Sequence, residues 1–370
     1  MAKAAKDKAA TPDLAEMRKR IDEVDRQIQS LINERARYAQ QVGISKGALA
    51  AVDYYRPERE AEVLRAVLER NEGPLRNEEM LRMFREIMSA CLAQQEPLKI
   101  AYLGPEGTFT QTAVYRHFGH SVRGLPFSSI DEVFQEVESG AADFGVVPIE
   151  NSTEGTVNHT LDLFLTSPLK IGGEIELRIE QNLIGMMASL EKIERICAHE
   201  QSLAQCRGWL REYLPHVDLV GVSSNASGAR RARDESGTAA IGGEAAAEVY
   251  GLRVLVNNIE DRSDNSTRFL VVGRELLSAS GDDKTTVLAS TSDTADGAGI
   301  LHALLQPFAN FGINMTRIES RPSRRKNWDY VFFFDLDGHA AEAPLADALK
   351  ELEEISSLYR VLGAYPKAVK

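Results

Sequence analysis

Leu14, Met17, Ile21, Val24, Ile28 and Leu31 recur at alternating spacings of three and four, with charged residues between them. A strand would need a period of two; this rhythm is one face of an α-helix. It continues onto Arg35, Tyr38 and Val42. The spacing therefore predicts a helix of roughly 45 Å, at 1.5 Å per residue, ending near Gly43. Two further helices are expected over residues 57–70, opened by a proline, and 77–95, separated by Asn71-Glu72-Gly73-Pro74. Three helices without a strand make an all-α unit over 13–96. Its first helix is too long to find neighbours within so small a monomer, so pairing with a second chain is expected.

Glu96-Pro97 marks a boundary, and the texture then changes. Short apolar strands (99–103, 144–149, 181–187, 195–198, 219–222, 239–241) alternate with helical stretches, which predicts α/β structure with mainly parallel pairing. Its length suits two lobes around a cleft over 98–275. Either Thr108 or Thr110 can cap the first of these helices. After a polar linker, 276–284, the order βαββαβ over 285–366 is the ferredoxin-like α+β arrangement. The fold class is thus multidomain, as 370 residues would lead one to expect. Residues 1–12, rich in Lys and Ala, read as a disordered tail.

The net charge of −12 gives no support to nucleic-acid binding, yet leaves room for a locally cationic pocket. Cys91, Cys197 and Cys206 fit a reducing, cytoplasmic setting and form neither a disulfide framework nor a metal pattern. No apolar run approaches 18 residues, so no membrane span is expected, nor is an export signal.

Arg35 stands where the helical seam calls for an apolar residue, and a buried guanidinium needs a partner. Arg18 lies beside the same seam, and Lys46, Arg59 and Glu60 follow. Converging cations would hold a dianion, since guanidinium matches carboxylate bidentately. Surface salt bridges on charged helices explain the same residues, and spacing alone leaves both readings open. The stretch Met17-Arg18, Ile21, Asp25, Asn33-Glu34-Arg35, Lys46, Arg56-Pro57-Glu58-Arg59-Glu60, Cys91, Gln95 resembles the helical chorismate mutases. It is most similar to the mutase part of the bifunctional chorismate mutase/prephenate dehydratases. That resemblance implies a homodimer or larger homo-oligomer of intertwined helices acting on chorismate. Arg18 is then donated to the partner's site and Arg35 is its local counterpart, both on carboxylates. Lys46 and Gln95 hydrogen-bond the ether oxygen, Arg59 supports a carboxylate and Glu60 accepts the ring hydroxyl. Cys91 and Arg56 stand where some relatives have serine and aspartate. The reaction is pericyclic and needs confinement and charge stabilisation, not a nucleophile or a cofactor.

Three words mark the second unit: Gly104-Pro105-Glu106-Gly107-Thr108-Phe109, Asn151-Ser152-Thr153-Glu154-Gly155 and Ser266-Thr267-Arg268-Phe269. The first can offer backbone N–H groups to an anion, but no lysine follows for a nucleotide phosphate loop. Each is weak alone. In this order, with Ala198-His199-Glu200-Gln201-Ser202 and Ser223-Ser224-Asn225, they resemble prephenate dehydratase. The resemblance implies a cleft binding prephenate, with Thr267 as the main catalytic hydroxyl and Arg268 as a carboxylate clamp. Thr108, Asn151, Ser152, Glu154, Ser223 and Phe269 belong to the same substrate site. Water leaves as the ring becomes aromatic, so a proton donor is needed: Thr267 or Glu154, with His199 a further candidate that is as readily a structural hydrogen-bonding residue.

The third unit carries Gly299-Ile300-Leu301-His302 and Glu319-Ser320-Arg321-Pro322. These resemble the two phenylalanine-binding motifs of the ACT regulatory domain, implying feedback inhibition by phenylalanine, with Asn314 at the ligand's polar end. Ala298 replaces a proline common in relatives and follows an unusual loop, 293–297. Two other classes fit parts of the pattern. A periplasmic-type binding protein would need an export signal, and an enzyme whose mutase unit only dimerises would have no use for Arg18, Arg35, Lys46 and Gln95.

Overall fold

The structure, a computed structural model, describes residues 13–46, 55–94, 96–153, 155–290, 299–323 and 330–369, without the side chains of 43, 45 and 46. The expected tail, Gln95, Glu154, Ala298 with its loop, and the Lys46 side chain lie outside these. Helix α1 spans Leu14–Lys46, α2 Pro57–Glu69 and α3 Asn77–Leu92. The first helix runs past the expected stop, because a glycine inside a helix weakens it without breaking it. Helix α2 buries Pro57, Ala61, Leu64 and Val67, the stripe its spacing dictates. Helix α1 has no such cover: from Leu14 to Leu31 its apolar stripe remains 43% to 64% exposed.

The first lobe contains β1 (Lys99–Leu103), α4 (Phe109–Phe118), β2 (Arg123–Phe127), α5 (Ile130–Ser139), β3 (Phe144–Asn151), β4 (Gly155–Thr156), α6 (Asn158–Phe164) and β5 (Lys170–Arg178). The chain then builds a second lobe from β6 (Asn182–Gly185), β7 (Arg195–His199), α7 (Glu200–Gln205), α8 (Arg207–Tyr213), β8 (Asp218–Val222), α9 (Asn225–Asp234), β9 (Thr238–Gly242), α10 (Glu244–Tyr250) and β10 (Arg253–Val256). Strand β11 (Ser266–Gly273) returns to the first lobe. Among the described residues the first sheet is ordered β2-β1-β3-β11-β5, with β4 on β3, and the second β10-β6-β9-β7-β8. The expectation of mainly parallel pairing needs correcting. β1–β2, β1–β3, β7–β8 and β7–β9 are parallel, whereas β11 pairs antiparallel with both β3 and β5, and β6 with β9 and β10. A chain that leaves one lobe and comes back delivers its return strand in the opposite sense.

Thr108 caps α4, its hydroxyl accepting from the Gln111 amide, which settles the choice between the two threonines. The third unit comprises β12 (Asp283–Ser290), α11 (Ile300–Asn310), β13 (Met315–Pro322), β14 (Tyr330–Asp337), α12 (Leu345–Ile355) and β15 (Leu358–Pro366), with sheet order β13-β14-β12-β15. Both its helices cover one face. The other face joins the first lobe's core: Leu288, Val331, Phe333, Leu362 and Tyr365 pack with Ile149, Leu161, Phe164, Ile171 and Leu270. The helical unit docks through Tyr55, whose ring lies 5.6 Å from that of Phe118 and 5.4 Å from that of Phe144.

Helix α9 lies so close to β7 that a Cβ on Gly228 would stand 2.2 Å from the Cys197 carbonyl oxygen. Gly228→Ala is therefore expected to destabilise the second lobe by about 3 kcal/mol, read as a lowered midpoint in chemical denaturation. An unchanged midpoint would contradict this packing.

Candidate functional site

The antiparallel pairing of β3 and β11 brings together two words that stand more than 100 residues apart. Thr267 pairs with Asn151 and Arg268 with Glu150, but Phe269 pairs with Pro148, so Ile149 is an extra residue. A bulge of this kind shifts the alternation of side chains along a strand. Ile149 packs into the core shared with the third unit, Glu150 points the same way to Arg317, and Asn151 is thereby turned to the face of Thr267. The Asn151 amide donates to Thr267 Oγ1 at 2.8 Å and to Asn265 Oδ1 at 3.1 Å. Its own Oδ1 accepts from the Thr153 amide at 3.0 Å. Ser152 ties the two strand ends: its N–H donates to the Ser266 carbonyl at 2.9 Å, and its Oγ accepts from the Ser266 N–H at 3.0 Å.

From this pair a polar network crosses to the second lobe. Asn265 donates to Gln205 Oε1 at 3.1 Å, the Gln181 amide reaches both Gln205 and Ser202 at 3.1 Å, and Asn225 donates to Ser202 Oγ at 2.8 Å. Asn265, Gln205 and Gln181 were absent from the sequence-based set of candidates. For Gln181 and Asn265 the available signal was polarity just before an apolar strand, whereas Gln205 ends α7. Ser223 is exposed just before the cap of α9. Thr108 Oγ1 donates to the Leu103 carbonyl at 3.3 Å besides capping α4. The His199 ring accepts from the Gln201 amide and caps α7, which favours its structural reading over that of an acid.

Two expectations about this cleft are overturned. Arg268 alternates to the opposite face of the sheet from Thr267, where its guanidinium meets Glu174 at 2.9 Å and Asp335 of the third sheet at 2.7 Å. Burial works against its charge, and Asp335 and Glu174 outweigh that and hold its pKa above the ordinary value. Phe269 is 2% exposed and belongs to the core with Val146 and Ile175. Strand periodicity turns Arg268 to the other face, whereas Phe269 shares the face of Thr267 but lies further along the strand, inside the apolar core.

In the helical unit Glu60 is half-buried with Tyr55, Arg85 and Arg35 around it. Burial raises its carboxyl from 4.5 to about 7, against the pull of Arg85, a hydrogen bond from Tyr55, and Arg35. Arg85 was not singled out from the sequence, although it stands four residues from both Leu81 and Ser89 on the buried face of α3, the anomaly that marked Arg35. Its guanidinium donates to the Val369 carbonyl at 3.1 Å. Next to it, burial and then the Arg85 charge push the His117 pKa down to about 3, so that ring is neutral at ordinary pH. Tyr55, Glu60, Arg85 and His117 line a cavity of about 1000 Å³ that the helical unit shares with both lobes and residues 366–369. Arg59 instead turns to solvent and pairs with Glu62 at 2.7 Å, Arg56 is exposed, and Cys91 is buried in α3. Arg18 is exposed 17 residues before Arg35, roughly 25 Å along the helix, so one chain cannot bring both to one pocket.

In the third unit Glu319 and Arg321 face the dehydratase-like lobe, which corrects their expected place at a ligand. Glu319 accepts from Thr156 Oγ1 at 2.9 Å, and Arg321 holds Asp162 with contacts of 2.9 Å and 3.0 Å. Ser320 and Pro322 alternate to the other, exposed face. Gly299, with φ +85°, is exposed and opens α11, ahead of Ile300 and Leu301. Asn314 donates to Asp337 at 2.6 Å.

Family models match in three places: Chorismate mutase type II over 17–96, Prephenate dehydratase over 100–276 and ACT domain over 293–354. A bifunctional chorismate mutase/prephenate dehydratase of Pseudomonas aeruginosa is 52% identical over 361 residues, 96% of this chain and 98% of that one. Among solved structures, a prephenate dehydratase of Arthrobacter aurescens in complex with L-Phe matches with a TM-score of 0.67 at 38% identity, covering 73% of this chain and 90% of that one. The prephenate dehydratase of Staphylococcus aureus matches at 0.64 and 30% identity, covering 72% and 100%. Similarity sustained along nearly the whole chain, through all three units in order, makes this protein a member of the bifunctional chorismate mutase/prephenate dehydratase family.

Proposed function

We infer that this enzyme of phenylalanine biosynthesis divides its two activities, chorismate to prephenate and prephenate to phenylpyruvate, between separate units. We propose that the first reaction belongs to 13–96, the second to 98–275, and control of the second to 285–366. The observation that carries the assignment of residues is the Asn151–Thr267 hydrogen bond, made across a bulged strand pair next to the network between the lobes. Thr267 is a poor acid in solution. Asn151 donates to its oxygen and leaves the hydroxyl proton free for the departing ring hydroxyl, while Glu154 remains the alternative donor. With Arg268 turned away, the cleft is less cationic where CO₂ departs, which avoids stabilising the ground-state carboxylate.

For the rearrangement, Arg35 and Glu60 form half of a pocket, completed by Arg18 of a second copy. The exposed stripe of α1 supports that dimer: each large apolar side chain it covers contributes on the order of 1 kcal/mol. Lys46 and Gln95 act on the ether oxygen. Phenylalanine is taken up by the Gly299-Ile300-Leu301 turn together with Ser320 and Pro322, a reading supported by the L-Phe complex of the Arthrobacter relative. No described helix is long and apolar enough to cross a membrane, and three buried free cysteines suit a cytoplasmic enzyme.

Arg35→Ala should abolish conversion of chorismate while prephenate is still consumed. Thr267→Val should lower dehydratase kcat roughly hundred- to thousandfold with the mutase rate intact. Parallel loss of both activities in either variant would sink the two-site reading. Glu60 must be ionised to accept the ring hydroxyl, so the mutase rate should fall as pH drops below about 7, and Glu60→Gln should remove that limb. The sign for stability is opposite: protonated Glu60 favours the folded state, so stability is lost as pH rises from 4.5 through about 7. Relative to the parent, Glu60→Gln should therefore gain stability across that window. Saturating phenylalanine should slow prephenate consumption, and an unchanged rate would remove the feedback assignment.

A further inference from the structure

The back of the Asn151–Thr267 pair is not solvent but the third sheet. Each partner is flanked on its strand by a residue pointing the opposite way, and the third sheet grips both of these. Glu150, next to Asn151, accepts from Arg317 of β13 at 3.1 Å. Arg268, next to Thr267, donates to Asp335 of β14 at 2.7 Å. Arg317 and Asp335 are themselves cross-strand partners, as are Glu150 and Arg268. Four charges of alternating sign therefore close a square between the two sheets. An irregularity occurs at the contact on each side: Ile149 is the extra residue in β3, and Thr316 is extra in β13. Without the first, Asn151 would face away from Thr267; the second brings Arg317 level with Asp335.

We propose that Arg317 and Asp335 are positioning residues for the dehydratase step, acting through Glu150 and Arg268 to hold Asn151 and Thr267 in register. Asp335 is itself fixed, accepting from Thr286 Oγ1 at 2.7 Å, and Glu174 is held by Lys284 at 2.7 Å, so the grip is anchored in β12 as well. Three corners of the square, Glu150, Arg268 and Arg317, border a cavity of about 430 Å³, which leaves their side chains room to shift. The small catalytic displacement that follows from loosening is enough to matter, because hydrogen-bonded catalysis tolerates little misplacement.

This inference rests on the assignment of Asn151 and Thr267 to the dehydratase site, and the test separates the two. Dehydratase kcat and KM, mutase rate and thermal midpoint are measured on full-length Arg317→Gln, Glu150→Gln, their double variant, Arg317→Lys and Thr267→Val. Each single Gln variant is expected to lose roughly ten- to hundredfold in kcat with little change in KM or mutase rate. The double variant should be no worse than either single one, and Arg317→Lys should recover part of the loss. Unchanged kcat in Arg317→Gln, with Thr267→Val inactive, overturns the positioning role alone. Thr267→Val with full activity removes the site assignment instead. If kcat in the Gln variants falls only in step with mutase rate and thermal midpoint, the contact is merely structural and the inference fails.

Discussion

The antiparallel seam between β3 and β11 is the constraint on which the rest of this molecule depends. It sits in the middle of the first sheet, and through it the chain regains its first lobe after building the second. Strand β11 is buried from Phe269 to Gly273, so the seam cannot slip without exposing apolar residues on both faces. Its free end carries the polar words, where the chain turns out of the sheet and polar side chains join the network to the facing lobe. Fold closure and assembly of the candidate dehydratase site are thus one event.

A sheet buried on both faces has two neighbours, and here they serve different ends. The face carrying Thr267 leads to the core beneath α4, where Tyr55 of the helical unit also packs. The face carrying Arg268 meets the third sheet through apolar packing and ion pairs. Pairs as covered as Arg268 with Asp335 contribute little net stability, since desolvation offsets their attraction, but losing one partner leaves a costly bare charge. They specify alignment between two sheets whose apolar side chains alone would accept several. Arg85 has a comparable place at the other junction, between Glu60 of the helical unit and the chain's last residues.

Much of the architecture was legible in the sequence. The three-and-four spacing named the first helix and its apolar stripe, because a period near 3.6 marks one face of a helix. Strand–helix alternation named the two-lobed unit, and the order βαββαβ named the third. The family resemblance was equally legible, since its motifs are contiguous words. Thr267 and Asn151 could be chosen that way, as could Arg35 and Glu60.

What the sequence alone determined, then, was the set of elements, the family and most of the residue types at the sites. Tertiary structure decided which way those residues face. A contiguous word in a strand points alternately to opposite sides, so Thr267 and Arg268 serve different neighbours, as do Ser320 and Arg321. One extra residue, Ile149, reverses that alternation for Asn151, and a bulge leaves no mark in composition or spacing. Arg85 and Asn265 escaped notice for a related reason: their roles come from partners brought close by folding. The long helix is the reverse case: its apolar stripe is a property of the helix itself, legible in the sequence and exposed in the structure.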